Sequence, residues 1–227
     1  VPPVALALSR GCGNPTGFAD LAAGEVVVDL GCGAGIDVIL AAGRVGPTGI
    51  VVGIDASPKM IERARQAVAD AGYADRDIEL KAASIEETGL PSEFADAAVS
   101  NCVINLVPDK PAAFSEALRI LKRGGRLAVS DILWAEHLEP DLEARLREQW
   151  SGCLGGAAVE EDYWDILYEA GFVKVHVVSR HVLAPHELYA IACCPGEEFS
   201  ESPSIADLAM VQDNIESVKF TAIRPFG

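Results

Sequence analysis

The sequence predicts an α/β fold: a doubly wound, mostly parallel sheet of about seven strands with a small C-terminal appendage. Three observations carry this expectation. From residue 25 onward, short apolar runs alternate with stretches of helical period, as strands joined by crossover helices do. The first run ends in a glycine-rich turn, Gly31-Cys32-Gly33-Ala34-Gly35, which opens a helical stretch. The second run ends in an acid, Asp55, at the place where such sheets meet their ligands.

The elements follow in order. Residues 25–30 form the first strand, and residues 36–42 a short helix closed by Gly43 and Gly46. Residues 50–54 are the second strand. Met60, Ile61, Ala64, Val68 and Ala71 then recur at helical spacing, started by Ser57-Pro58 and stopped by Gly72. Residues 78–81 are a weaker third strand, 96–100 the fourth, 111–121 a helix ended by Gly124-Gly125, and 126–130 the fifth strand. Residues 142–150 and 160–170 read as helices, and 172–179 with 188–193 as a terminal hairpin on the sheet edge. Residues 195–203 are acidic and turn-rich, a linker by composition. Beyond 204 come a short helical stretch and a strand over 218–223. The expected organisation is one domain over 1–194, with 132–171 contributing a substrate lid, then an acidic linker and tail over 195–227.

Half of the 227 residues are hydrophobic, enough for a sizeable core. Eighteen basic against 34 acidic side chains leave a net charge of -16, a field that repels phosphate backbones, so nucleic acid is excluded as a partner. No apolar window is long enough to span a bilayer. The opening Val1-Pro2-Pro3-Val4 lacks the charged flank of a signal peptide, so a cytoplasmic monomer without a membrane partner is expected. Six cysteines are too sparse for a disulfide scaffold and are read as thiols. His137, His176, His181 and His186 have no metal-ligand spacing and read as surface or packing residues.

The glycine loop allows a ligand close to the backbone, and Asp55 offers acceptors for ribose hydroxyls. Dinucleotide sites use G-x-G-x-x-G; here the third glycine comes one residue early. With Asp29 in front of it, the segment resembles motif I of the class I S-adenosylmethionine-dependent methyltransferases, which have a Rossmann-like fold. The resemblance implies S-adenosylmethionine as cofactor, with Gly31, Gly33 and Gly35 at its methionine portion and Cys32 a small spacer among them. Asp55 then holds the ribose and Asp29 orients the loop or the cofactor amine. Ala56 and Met60 follow Asp55, Ser84, Ile85 and Glu86 form the adenine loop, and Asn101 faces the amino-acid end.

Three cysteines stand in distinctive settings: Gly11-Cys12-Gly13-Asn14-Pro15, Asn101-Cys102-Val103-Ile104-Asn105-Leu106, and Cys153-Leu154-Gly155-Gly156-Ala157. Together with Val107-Pro108-Asp109-Lys110-Pro111 and the segment from Gly124 to Asp131, they resemble the arsenite methyltransferase family, almost without a break from Gly11 to Phe172. The resemblance implies that Cys12, Cys102 and Cys153 hold trivalent arsenic as thiolates beside the methyl donor, in arsenic detoxification. It also implies delivery as a conjugate of glutathione or a similar thiol, with a reductant such as thioredoxin. The family's longer members carry a further upstream cysteine that has no counterpart here, and Ala56-Ser57 stands where they commonly have Met-Thr.

The chemistry is sound in itself. A thiophilic centre bound by three thiolates keeps a lone pair that can attack an electrophilic methyl carbon, and no general base is needed. Two alternatives stay open: methylation of another soft or carbon nucleophile, and a non-catalytic thiol sink for arsenic. Taken singly, each cysteine also reads as a small buried hydrophobe. Cys193-Cys194 read as packing or as an accessory capturing pair, and Trp150 as a pocket wall or a core residue. Glycines around Cys12 and after Cys153 lead us to expect that both segments close over the sheet edge when arsenic binds.

Overall fold

The computed structural model describes residues 13–149, 152–184, 187–188 and 211–227. Its elements are α1 (Pro15–Phe18), β1 (Val26–Leu30), α2 (Ile36–Val45), β2 (Ile50–Asp55), α3 (Pro58–Asp70), β3 (Ile78–Ala82) and β4 (Ala95–Asn101). A 3-10 turn (Ile104–Leu106), α4 (Lys110–Ile120), β5 (Leu121–Trp134), α5 (Pro140–Gln149), α6 (Gly152–Gly155), α7 (Glu160–Glu169), β6 (Val173–Val182) and β7 (Ile215–Ile223) complete the order. The seven strands form one sheet in the order β3-β2-β1-β4-β5-β7-β6. Strands β1 to β5 are parallel, and β7 is antiparallel to both of its neighbours.

The strands read as unbroken apolar runs because helices cover both faces of the sheet. With period two, Val28, Leu30, Val52 and Ile54 enter one core with Phe114 of α4 and Tyr163 of α7. Val27, Val51 and Val99 enter the other with Val38 of α2 and Ile61 of α3. Side-chain caps set the helix starts: Ser57 accepts from the Met60 amide and Asp109 from the Ala112 amide, each with a proline in the first turn. No helix among the described residues is long and apolar enough to cross a membrane.

Two expectations need correction. Residues 215–223 do not belong to an appendage outside the sheet; they form β7, inserted between β5 and β6. Ile215, Val218, Phe220 and Ala222 are buried there, and Phe220 packs edge-on against Tyr163 and Trp164. Among the described residues, the antiparallel partner of β6 is this strand. Leu188 lies in a helical turn, and residues 189–193 fall outside the described region, as does the 195–203 linker. Strand β5 also starts earlier than expected, at Leu121. Leu121 pairs with Ala95 and Arg126 with Ala97, so the Gly124-Gly125 stretch is a bulge within the strand rather than a helix stop before it.

A third, smaller apolar cluster lies beyond the carboxyl ends of the strands, where α5 and α6 cross. It contains Cys102, Ile132, Trp134, Leu146, Leu154 and Val159, with Cys153 packed against it. This cluster is the floor under the cysteines.

Candidate active site at the carboxyl edge of the sheet

The turn after β1 is held by β2. The amides of Gly31 and Cys32 both donate to the Ile54 carbonyl at 2.8 Å. Asp55 binds the loop to the start of α3: one carboxylate oxygen accepts from the Gly33 amide at 2.9 Å and the other from the Ser57 amide at 2.8 Å. Gly33 has φ +50°, and the space beside its Cα is open. Beneath the loop, Asp29 is buried; burial, with the charges of Asp37 and Asp55, holds its carboxyl well above the ordinary range. Burial also raises Asp37, against the hydrogen bond it accepts from Asn101. One oxygen on each, Oδ2 of Asp29 and Oδ1 of Asp37, is buried without a hydrogen-bond partner.

Cys102 follows directly from the end of β4 and is buried. Its amide donates to the Ser130 carbonyl at 2.8 Å, and its φ of +58° is a left-handed conformation that costs a non-glycine residue about 1 kcal/mol or more. It is disulfide-bonded, which corrects the expectation that all six cysteines are thiols. The Cys153 thiol in α6 donates to the Cys102 carbonyl at 3.1 Å, so the two residues meet although 51 positions apart. Next to Cys102, Val103 presses on the glycine loop. A Cβ on Gly31 would fall 2.3 Å from its methyl groups, so glycine alone permits this approach of the loop to the cysteine segment.

A buried polar network supports both cysteines. Asn105, on the turn after Cys102, donates to Asp131 at 2.9 Å and to the Ile132 carbonyl at 2.6 Å. The Tyr163 hydroxyl donates to the other Asp131 oxygen at 3.0 Å, and rings of Phe114 and Phe220 pin Tyr163 edge-on. Burial pushes the Asp131 carboxyl up to about 7 despite these donors and the nearby Lys110 charge. Beyond Cys153, Gly156 rests on this turn so closely that a Cβ would lie 1.9 Å from the Asn105 carbonyl oxygen.

Residues 21–171 match a family model described as a methyltransferase domain. The chain belongs to that methyltransferase family. It is 40% identical over 173 residues to an arsenite methyltransferase of Halobacterium salinarum, across 76% of this chain and 44% of that protein. It is 33% identical over 164 residues to the arsenite methyltransferase of Homo sapiens, across 69% of this chain and 44% of that one. The methyltransferase described here thus spans less than half the length of these curated relatives. Its fold matches the crystal structure of an arsenic(III) S-adenosylmethionine methyltransferase from Chlamydomonas reinhardtii with a TM-score of 0.80 and 28% identity, over 100% of this chain and 72% of that chain.

In this methyltransferase, Asp29, Gly31, Gly33, Gly35, Asp55, Asn101, Cys102 and Cys153 gather along one edge of the sheet. Other side chains expected at the cofactor are buried or engaged by neighbours. The Cys32 sulfur turns into the core beside Gly53, where burial pushes its thiol up. Ile85 is buried in the opposite core, while Ser84 donates to Glu86 at 2.7 Å and Glu86 also accepts the Asp109 amide at 3.3 Å. Ala56 is exposed and Met60 half-buried at the start of α3. Asn101 bonds Gly13 and Asp37. Cys12, Trp150, His186, Cys193 and Cys194 lie outside the described residues, and His137, His176 and His181 are exposed, as expected for surface residues.

Sequence reasoning missed Asp37, Asn105, Asp131 and Tyr163. Two carried a signal: Asp37 is an acid in the first turn of a helix opened by a glycine loop, and Asp131 is an acid that prolongs the apolar run of β5.

Proposed function

We propose that this methyltransferase transfers the methyl group of S-adenosylmethionine to trivalent arsenic, arsenite and then methylarsenite, held by the thiolates of Cys12, Cys102 and Cys153. The observation that carries the reading is the Cys153 thiol 3.1 Å from the Cys102 carbonyl, in a segment pressed against the glycine loop through Val103. Two cysteines from distant parts of the chain thus meet beside a loop with room for a nucleoside donor, and the relatives named above are arsenite methyltransferases.

The residues present fit the donor. The open space at Gly33 is a cradle beside the backbone, and the buried, unpartnered oxygens of Asp29 and Asp37 suit a cationic amino group. Asp55 has lone pairs left for ribose hydroxyls after binding two amides. When bound, the donor supplies a methyl carbon on a sulfonium, an electrophile that a lone pair attacks without a general base. The chain's own task is alignment and exclusion of water: Cys102 and Cys153 are set on the apolar cluster of Ile132, Trp134 and Leu154. Arsenic capture needs the cysteines as free thiols, which a thiol such as glutathione or a thioredoxin-type protein keeps reduced.

The test is incubation of the reduced protein with arsenite, S-adenosylmethionine and glutathione, with mass spectrometry of the products. Methylarsenicals are expected. Arsenic bound but unmethylated makes the protein a thiol sink, and donor binding without arsenic binding points to a different nucleophile.

A further inference from the structure

The segment from Cys102 to Asn105 is tied to β5 at both ends. At its start the Cys102 amide donates to the Ser130 carbonyl at 2.8 Å. At its end the Asn105 side-chain nitrogen donates to Asp131 Oδ1 at 2.9 Å and to the Ile132 carbonyl at 2.6 Å. A flipped amide would set the Asn105 oxygen against two acceptors, so the orientation is fixed. That orientation leaves the Asn105 oxygen buried without a hydrogen-bond partner, a cost that stability alone gives no reason to bear. The backbone carbonyl of the same residue is the seat of α6. A Cβ on Gly156 would lie 1.9 Å from its oxygen, and Gly156 closes the helical turn that holds Cys153 by donating to the Gly152 carbonyl at 3.1 Å.

Cys102 stands three positions before Asn105, and Cys153 three before Gly156. One residue is therefore the common reference for both cysteines, which meet with the Cys153 thiol 3.1 Å from the Cys102 carbonyl. We propose that Asn105 is a positioning residue that fixes the spacing of the Cys102 and Cys153 thiols, so that the pair closes on trivalent arsenic as a chelate. The proposal rests on the arsenic reading above and deepens it. Methylarsenite has two exchangeable hydroxyls. As each As–S bond forms, the thiol proton leaves on the displaced hydroxyl as water, and arsenic stays trivalent. The first bond is made between two molecules, whereas the second is made within one and depends on how closely the second thiol is held to the first. Dimethylarsinous acid has one exchangeable hydroxyl and makes the first bond alone. Loosening Asn105 therefore weakens the two-bond ligand and spares the one-bond ligand. A residue that only supported the fold would weaken both, and one that served the donor would weaken S-adenosylhomocysteine instead.

The experiment uses the reduced full chain, as wild type and as a parent carrying Cys12→Ser, Cys193→Ser and Cys194→Ser, which keeps Cys102 and Cys153 beside the buried Cys32. The parent, its Asn105→Ala and Cys153→Ser variants and the variant with both changes are titrated with methylarsenite, dimethylarsinous acid and S-adenosylhomocysteine. In Asn105→Ala, methylarsenite affinity should fall about tenfold or more, while the other two affinities stay within about twofold. On top of Cys153→Ser the same change should cost methylarsenite nothing further, because the second bond is already gone. Gly156→Ala strikes the same contact from the α6 side with the Asn105 amide intact, and it should reproduce the pattern; if Asn105→Ala does not fold, Gly156→Ala decides. Equal loss of both arsenicals, unchanged methylarsenite affinity, or weakened S-adenosylhomocysteine binding with the arsenical ratio unchanged overturns the proposal. Methylarsenite bound by wild type and not by the parent also overturns it, since Cys102 and Cys153 then form no chelate. Wild type that binds neither arsenical overturns the arsenic reading itself, and the proposal falls with it.

Discussion

Asp131→Asn isolates the least comfortable group beneath the cysteines. In the wild type the carboxyl has no contact with solvent and titrates at about 7 instead of 3.8. Between those values the folded chain holds a proton that the unfolded chain has released, so stability falls as pH rises from about 4 to about 7 and is level above. At about 1.4 kcal/mol per factor of ten in proton affinity, the loss across that window is about 4 kcal/mol. Asparagine keeps an acceptor for Asn105 but turns a donor toward the Tyr163 hydroxyl, a constant cost of about 1–3 kcal/mol. The variant should be the less stable protein at pH 4.5 and the more stable one at pH 8. Urea unfolding of both chains at several pH values reads the difference, and the carboxylates common to both cancel. Parallel stability curves from pH 4.5 to 8 would refute the reasoning. They would mean that Tyr163, Asn105, the Ile132 amide and the Lys110 charge together keep Asp131 ionised in the interior.

Three other outcomes are expected. Gly156→Ala sets a methyl group 1.9 Å from a backbone oxygen of Asn105 that cannot turn aside; arsenic affinity should drop about tenfold with donor affinity kept, and calorimetric titration showing both lost alike would count against a local effect. Gly31→Ala meets Val103 at 2.3 Å and a φ of +78°, so donor binding should weaken most, with a loss of about 1–3 kcal/mol in unfolding free energy. Cys12→Ser should depress methylation of arsenite more than that of methylarsenite, whereas Cys102→Ser or Cys153→Ser removes both. Product analysis with each substrate decides between that pattern and equal loss.

The parallel half of the sheet was legible because its strands are buried on both faces and read as plain apolar runs between capped helices. Strand β7 was legible as a strand but not in its place. An antiparallel insertion between β5 and β6 depends on Phe220 meeting Tyr163 and Trp164, residues more than fifty positions away, while the apolar run 188–193 offered a nearer partner with the same pattern. At the site, residue types were legible and orientations were not. Cys32 and Ile85 stand in the expected segments, yet the alternation of loop and strand turns both inward. Asn101 sat in the right motif, but Gly13, 88 positions earlier, takes both ends of its amide. The buried acids Asp29, Asp37 and Asp131 are costly to the fold, and such costs are tolerated where a site needs them.

The central claim is methyl transfer onto arsenic held by the chain's own thiolates, and a single turnover tests it most directly. The reduced protein is loaded with one equivalent of arsenite, freed of excess thiol conjugate, mixed with S-adenosylmethionine carrying a trideuterated methyl group, and quenched. The account predicts a trideuteromethyl arsenical formed in step with S-adenosylhomocysteine, and none from the Cys102→Ser protein. S-adenosylhomocysteine released without labelled arsenic, or arsenic that stays bound and unlabelled while the donor is bound, would contradict it.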